Sequence, residues 1–237
     1  MIRSDRRGPG DLRPTTIELD AVPYAEGSCL IATGSTRVLC AASIQDELPD
    51  WRVASGRGWV TAEYGMLPRA THTRGSRERT GPKGRTQEIQ RLIGRSLRAV
   101  MNLDSLGRRT ITLDCDVLQA DGGTRTAAIT GASVALARAC RFLVEEGLVP
   151  RNPMRELVAG VSVGLLEGTA ILDLDYSEDS RAQVDMNLVA TEGEKLVEVQ
   201  GTAEGDPFDR RELSELLALG MEGIRALILA QKAALGR

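Results

Sequence analysis

The sequence predicts an α+β fold in which sheets carry helices packed on one face, within a single body. Two observations lead to this expectation. Segments with apolar residues at every second position recur in both halves of the chain, which is the period of half-buried strands. Each group of such segments is followed by stretches in which apolar residues recur every three or four positions, as in amphipathic helices. A chain of 237 residues can bury a sizeable core, and we expect one domain over residues 1–237.

The composition narrows the class of protein. Apolar residues make up 42% of the chain, but only two Trp, three Tyr and two Phe are present, so the core is aliphatic and base stacking is a minor mode of any RNA recognition. The four cysteines lie in apolar patterns without a CxxC pair, which favours buried free thiols in a reducing cytoplasm. The N-terminus has no signal-peptide pattern and no run of about 18 apolar residues occurs, so we expect a cytoplasmic protein with no membrane partner.

The charge is unevenly distributed along the chain. The net charge is −3, which by itself indicates no nucleic-acid partner. Residues 1–110, however, carry 18 Lys and Arg against 12 Asp and Glu, whereas residues 111–237 carry 12 against 21. Such an asymmetry predicts a basic surface on the first half, although composition noise produces differences of this size fairly often.

The first half contains four predicted strands and a helix. A strand is expected over residues 15–22, a hairpin over residues 28–33 and 36–43 around Gly34-Ser35, and a further strand over residues 59–66. Residues 45–57 are polar and irregular. Apolar positions at helical spacing predict a helix over residues 86–101, with Arg85 just before its start.

Between that last strand and the helix lies a basic segment, residues 69–85, which we call the arginine loop. It carries six basic residues against one acid, Glu78, and has no apolar periodicity; the six are Arg69, Arg74, Arg77, Arg79, Lys83 and Arg85. A long loop of this kind is either a solvated surface segment or a binding element. Arginines spaced along such a loop suit the phosphates of a nucleic-acid backbone. The loop is not a Walker motif, because Pro82 stands between Gly81 and the lysine.

A strand, a glycine turn and a helix follow over residues 110–144. Apolar and polar residues alternate up to Val117, the turn is Asp121-Gly122-Gly123, and a helical pattern runs on to a stop at Gly147. Backbone N–H groups, the Thr124 hydroxyl and the Arg125 guanidinium together suit an oxyanion such as phosphate at the start of the helix. The alternative is a plain turn in which Thr124 caps the helix and Arg125 lies in solvent.

The second half repeats the order of strands followed by a helix, without a clear residue-level repeat. Strands are expected over residues 157–166 and 169–175 around Glu167-Gly168, then over 182–189 and 196–202, with a turn at residues 176–181. Asp209 and Glu212 have the spacing of a capping box at the start of a long C-terminal helix.

Two carboxylates in this half are candidates for chemistry. Asp179 ends the predicted turn and Asp185 projects from the polar face of the next strand, so the pair converges only if the turn folds Asp179 back. Two such carboxylates can hold Mg²⁺ or Mn²⁺, or one can act as a general acid. The alternative is that both are ordinary surface residues. The only histidine, His72, lies in the arginine loop without a G-x-S-x-G elbow, which disfavours a covalent serine or cysteine enzyme.

Three stretches together resemble the bacterial ribonuclease PH family, phosphorolytic exoribonucleases that trim tRNA 3′ ends. They are DGGTRTAAITGA from Asp121, GRTQEIQRLIGR from Gly84, and DYSEDS from Asp175 followed by DMN at Asp185. The resemblance covers essentially the whole chain. It implies an RNase PH-like fold, a single α+β domain of two related βα halves with mixed sheets and helices packed on them. It also implies a homo-hexamer, a trimer of dimers, and a role in tRNA and rRNA processing.

The resemblance further assigns residues to roles. Arg85, Gly123, Thr124 and Arg125 would bind inorganic phosphate as co-substrate. Asp179 and Asp185 would be the catalytic carboxylates, with Mg²⁺ or Mn²⁺ as cofactor. Three loop arginines, Arg69, Arg74 and Arg77, would grip the RNA, whether a tRNA precursor or another RNA 3′ end.

The activity expected on this basis is removal of 3′ nucleotides as nucleoside 5′-diphosphates, reversible as 3′ addition. Two other functions remain open on the residues alone. A hydrolytic metal nuclease would need a richer carboxylate cluster and leaves Arg85 and Arg125 without a role. An inert RNA-binding ring subunit does not explain why both arginines and both aspartates are present.

Overall fold

The computed structural model describes residues 3, 5–78 and 81–237, so Arg79 of the arginine loop lies outside the described residues. The first half forms a five-stranded sheet from β1 (Thr15–Leu19), β2 (Gly27–Thr33), β3 (Thr36–Gln45), β4 (Trp59–Met66) and β5 (Thr110–Gln119). The strand order is β1-β2-β3-β5-β4, with β4 parallel to β5 and the other neighbours antiparallel. The predicted hairpin is confirmed, and the first strand is three residues shorter than expected.

The helices of the first half are α1 (Asp50–Val53), α2 (Gly84–Ala99), α3 (Leu103–Leu106) and α4 (Thr124–Glu145). The segment predicted to be irregular therefore contains one short helix, α1. Helix α2 starts two residues earlier than expected, so Arg85 lies in its first turn rather than before it. This helix provides the crossover between the parallel strands β4 and β5, which need a long connection of this type.

The second half forms a four-stranded antiparallel sheet, ordered β7-β6-β8-β9. Its elements are β6 (Val158–Leu166), β7 (Thr169–Leu172), α5 (Tyr176–Asp179), β8 (Val184–Thr191), β9 (Leu196–Ala203) and α6 (Arg210–Ala234). The predicted turn after β7 contains the short helix α5. The predicted capping box of the last helix is confirmed, with the Asp209 side chain accepting from the backbone of Arg211 and Glu212.

Helix α4 lies between the two sheets and forms the centre of the fold. It contacts β2, β3 and β5 of the first sheet and β6 of the second. Its small residues, such as Ala128, Gly131 and Ala135, are fully or almost fully buried along several sides of the helix. By length and composition α4 could cross a membrane, but 78% of its most apolar stretch is buried inside the fold, as in a helix that forms part of a protein core. One cluster of buried side chains includes residues from both halves.

All four cysteines are free and buried, as the sequence predicted. Cys29, Cys40 and Cys115 occupy directly paired positions on β2, β3 and β5, beneath α4. Burial raises the pKa of the Cys140 thiol to about 12. Such thiols behave as small apolar side chains rather than as nucleophiles.

Candidate active site

The turn that leads into α4 is built from two glycines in the left-handed region. Gly122 has φ of +71° and Gly123, the N-cap residue, has φ of +63°. A Cβ on Gly122 would lie 2.6 Å from the Leu174 carbonyl oxygen and 2.9 Å from the Tyr176 nitrogen. Glycine is thus required both for the backbone conformation and for close contact with the start of α5. The turn and the segment that carries Asp179 are therefore packed directly together.

The first turn of α4 presents Thr124 and Arg125 beside this contact. Thr124 is the first residue of the helix and not its cap, which rules out the alternative of a simple threonine cap. Its Oγ1 accepts a hydrogen bond from the Tyr64 hydroxyl of β4 at 2.8 Å. Because Tyr64 donates in that bond, the Thr124 hydroxyl hydrogen is available to a ligand. The N-cap residue Gly123 has no side chain to bond the first backbone N–H groups of α4, which leaves them suited to an anion.

Arg85 reaches the same region from α2. The charges of Arg85 and Arg125 both lower the pKa of Asp179 and of Asp185, opposing the larger effect of burial. Both charges also act on Tyr64, whose pKa is raised by burial. Two guanidinium groups that lie 40 residues apart in the sequence, Arg85 exposed and Arg125 half-buried, therefore lie within electrostatic range of one group of side chains. This is the convergence that a two-arginine anion site requires.

The two candidate carboxylates are close enough to influence each other. Asp179 is the last residue of α5 and Asp185 is the second residue of β8, and the charge of Asp179 acts on Asp185, so the pair lies within electrostatic range. Burial raises the pKa of Asp185 to about 6, and the charge of Asp179 adds to the rise. Burial likewise raises the pKa of Asp179. Each carboxylate is therefore easier to protonate than a free aspartate, as is common at reactive sites.

A third acid, Glu204, lies beyond the end of β9 and raises the pKa of both aspartates. Within the part of the chain that the structure describes, no group of three or more His, Cys, Asp and Glu side chains has the arrangement of a protein-only metal site. A pair of mutually repelling carboxylates still fits Mg²⁺ or Mn²⁺, because Mg²⁺ is commonly held by one or two carboxylates, with water and substrate phosphate completing the shell.

Buried ion pairs from the N-terminal segment hold the turn and α5 in place. The Arg13 guanidinium binds both carboxylate oxygens of Asp173, with Nη2 to Oδ1 at 2.6 Å, and also donates to the Asp121 carbonyl. Arg3 binds both oxygens of Glu178 at 2.7 Å. Glu178 in turn forms a capping box at the start of α5, and Asp179 is the next residue.

The three loop arginines are exposed. Arg69 donates to the His72 carbonyl at 2.8 Å and forms part of the wall of a pocket of about 330 Å³ that extends to Asp121. The pocket therefore connects the start of the arginine loop to the residue before the glycine turn. RNA binding by these arginines stays a prediction, as do the roles of the other site residues.

Sequence reasoning missed four residues of the site: Tyr64, Glu88, Gln200 and Glu204. Tyr64 was counted only as part of a strand, and Glu88 only as part of a helix. Gln200 accepts from Arg125 Nη1 at 3.1 Å, a contact between residues 75 positions apart. The polar run Gln200-Gly201-Thr202 gives little local signal, because β9 is an edge strand, where exposed polar residues are ordinary.

Comparison with known proteins gives two family matches. Residues 11–141 match the model of the 3′ exoribonuclease family, domain 1, and residues 156–223 match domain 2 of the same family. The gap between the matches runs from the last turn of α4 to just before β6.

Full-length relatives and solved structures agree with these matches. The chain is 57% identical to ribonuclease PH of Moorella thermoacetica, over 100% of this chain and 95% of that one. It is also 57% identical to ribonuclease PH of Methylocella silvestris, over 98% of this chain and 99% of that one. Similar folds include rice Rrp46, with a TM-score of 0.79 at 20% identity over 98% and 100% of the two chains. The Archaeoglobus fulgidus exosome with RNA bound to the active site has a TM-score of 0.81 at 22% identity, over 95% and 91%.

Proposed function

The chain belongs to the ribonuclease PH family of 3′ exoribonucleases and is a phosphate-dependent 3′→5′ exoribonuclease, and we propose that its two converging arginines and the turn at the start of α4 hold the phosphate that cleaves the RNA. Arg85 and Arg125 supply the charge. Gly123 and Thr124 supply the N-terminal N–H groups of α4 and a hydroxyl. The expected products are a nucleoside 5′-diphosphate and an RNA shortened by one residue.

One observation carries this assignment of residues: guanidinium groups from α2 and α4 act on the same two aspartates. A hydrolytic nuclease needs an activated water beside its carboxylates and has no use for a second anion site. A phosphorolytic enzyme needs an anion site next to the position of the scissile phosphodiester. The arrangement of two positive and two negative side chains around a helix N-terminus meets that need.

In the proposed reaction an oxygen of the bound phosphate attacks the last phosphodiester phosphorus, and the bond from that phosphorus to the 3′ oxygen of the preceding nucleotide breaks. The arginines neutralise the nucleophile and the charge that develops on the equatorial oxygens. The leaving 3′ oxygen takes up a proton. Without a bound cation Asp185 is the candidate donor, because its raised pKa of about 6 leaves part of the population protonated near neutral pH. With a cation on the two carboxylates, both would be ionised and the proton would come from water. The reverse reaction adds a nucleotide from a diphosphate.

Asp179 and Asp185 are the residues that would hold Mg²⁺ or Mn²⁺. When bound, a divalent cation would supply a positive charge next to the scissile phosphate. The protein's own contribution is to hold the two carboxylates side by side, one on α5 and one on β8, against the packed glycine turn.

The three loop arginines suit the backbone of the RNA substrate, and the pocket between Arg69 and Asp121 provides a path from the loop to the turn. Tasks in tRNA precursor processing, assembly as a homo-hexamer and location in the cytoplasm are proposed on the resemblance to the family. Two proteins of similar fold, the Archaeoglobus fulgidus exosome with RNA bound to the active site and an archaeal exosome core, support the proposals of action on RNA and of assembly into a larger complex.

The test is to incubate RNA that ends in an unstructured 3′ tail with the protein, with and without inorganic phosphate, and to identify the released nucleotides by chromatography. A precursor tRNA with a 3′ extension serves as the second substrate. We expect phosphate-dependent release of nucleoside diphosphates. Release of monophosphates, or degradation that does not depend on phosphate, would reject the proposal. Arg125→Ala should abolish turnover and leave RNA binding intact.

A further inference from the structure

Two hydrogen bonds connect Arg125 to the helix that carries Arg85. Arg125 Nη1 donates to Gln200 Oε1 at 3.1 Å, and Gln200 Nε2 donates to Glu88 Oε1 at 3.0 Å. Arg125 is on α4, Gln200 on β9 and Glu88 on α2, so the connection joins three separate elements. None of these contacts is needed to close the hydrophobic core, because Glu88 is exposed and Gln200 is half-buried at the surface.

The connection ends beside the second phosphate-binding arginine. Glu88 follows Arg85 by three positions on α2, a spacing that places two side chains on the same face of a helix. The path of hydrogen bonds therefore runs from Arg125 through Gln200 to Glu88, which lies one helical turn from Arg85. The distance between the two guanidinium groups depends on how α2 lies against β9, and the glutamine amide bridges that contact.

The β8–β9 pairing places Gln200 on the same face of the sheet as Asp185. Asp185 is directly opposite Thr202 in the β8–β9 pairing, and Gln200 lies two positions from Thr202. Directly opposite residues and residues two positions apart share a face of a sheet. The Gln200 side chain therefore projects towards the anion site.

The chemistry of an amide suits this position. Gln200 fixes one nitrogen of the Arg125 guanidinium without neutralising its charge, so the remaining N–H groups and the full positive charge stay available to phosphate. A carboxylate at position 200 would form an ion pair with Arg125 and would repel an incoming anion. The second contact between these elements, an Arg95–Glu198 ion pair at 3.4 Å, is exposed on the arginine side and has no link to Arg125.

We propose that Gln200, oriented by Glu88, is a positioning residue that sets the geometry of the two-arginine phosphate site. The inference rests on the proposed function, since it concerns the same phosphate. It assigns to Gln200 an effect on phosphate affinity, exerted through Arg125, rather than a contact with RNA.

The experiment compares three variants with the wild type in phosphorolysis of a tailed RNA. Gln200→Ala is expected to raise the KM for phosphate by about tenfold, because one hydrogen bond to a charged group is lost, with a smaller change in kcat and unchanged RNA affinity. Gln200→Glu is expected to raise the KM for phosphate at least as much. Gln45→Ala, the same change on an exposed glutamine at the far end of β3, is the matched control and should behave as wild type.

A double-mutant cycle shows whether Gln200 acts through Arg125. In an Arg125→Lys background, which keeps the charge but removes the guanidinium fork, Gln200→Ala is expected to add little to the KM for phosphate. Equal effects of Gln200→Ala in both backgrounds would overturn the proposal, as would an unchanged KM for phosphate or a parallel loss of RNA affinity. If the wild type degraded RNA without phosphate, the proposed function itself would fail, which distinguishes the two outcomes.

Discussion

The ionised form of Asp185 should destabilise the folded protein, and this gives a prediction that does not depend on measuring catalysis. The pKa of Asp185 rises from 3.8 to about 6 on folding, chiefly through burial and then through the charge of Asp179. Above pH 6 the folded state must hold a carboxylate in an unfavourable environment. Replacement by asparagine removes that charge while keeping the size of the side chain, so Asp185→Asn should be more stable than the wild type at neutral pH.

The magnitude follows from the shift. Each pKa unit corresponds to about 1.4 kcal/mol, so a shift of about two units gives an upper limit of about 3 kcal/mol at pH 8. Solvent screens a side chain that is only partly buried, and we expect about 1–2 kcal/mol. Because the folded pKa is the raised one, the cost is absent below pH 3.8, develops between pH 3.8 and 6, and is constant above that range. At pH 4 the difference should therefore shrink to about 0.5 kcal/mol.

The assay is urea denaturation of both proteins at pH 4 and pH 8, in buffers without phosphate and with a chelator of divalent cations. Asp206→Asn, at an exposed acidic position, is the control and should leave the free energy of unfolding within about 0.5 kcal/mol of the wild type. If Asp185→Asn were no more stable than the wild type at pH 8, the reasoning would be refuted. A gain of the same size at both pH values would also refute the reasoning, because it would show that the charge is not the cause.

Three further predictions concern other parts of the site. Changing the three loop arginines together to alanine should weaken RNA binding and reduce the slope of log affinity against log salt concentration by about 2, since each phosphate contact on single-stranded RNA contributes about 0.7. Filter binding across a salt series measures this slope, and an unchanged slope would exclude these arginines as contacts to the RNA phosphates. Gly122→Ala should lower the free energy of unfolding by about 1–3 kcal/mol and reduce activity, because φ is positive and the added Cβ would lie 2.6 Å from the Leu174 carbonyl oxygen. Gly205→Ala is the control and should do neither, since its added Cβ would meet no atom within 4 Å. The affinity for Mn²⁺ should fall as the pH drops below about 6, because protonated Asp185 must lose its proton to act as a ligand; equal affinities in titration calorimetry at pH 5.5 and 7.5 would argue against Asp185 as a ligand.

Local patterns in the sequence predicted most of the elements but not how they meet. The hairpin around Gly34, the strand β4 and the helices α2, α4 and α6 follow from periodicity and end signals, which depend on neighbouring residues only. The short helices α1 and α5 were not predicted, because four residues are too few to show a helical period. Strands β4 and β5 precede and follow α2 in the sequence, so their pairing depends on contacts between residues about 50 positions apart.

For the candidate site, too, local sequence patterns predicted single segments but not the contacts between distant residues. The prediction that the turn at Gly123 binds an anion rested on local chemistry, since glycine, threonine and arginine stand together at a helix start. That Arg85 joins Arg125 was expected from the family resemblance, because no local pattern relates two helices. Tyr64, Gln200 and Glu204 were missed for the same reason: each acts on the site through a contact or charge across distant parts of the chain.

The N-terminal segment shows why the two halves have to act as one unit. Asp121 and the glycine turn belong to the first half, whereas Asp173 belongs to the second, and the buried Arg13 binds both. A buried arginine that lost its carboxylate would cost about 3–5 kcal/mol, so a loose arrangement of the two halves is strongly disfavoured. The glycine turn and the segment leading to Asp179 are thus fixed to the same guanidinium. A site that holds a small anion in line with a phosphodiester needs this kind of rigid connection between its arginines and its carboxylates.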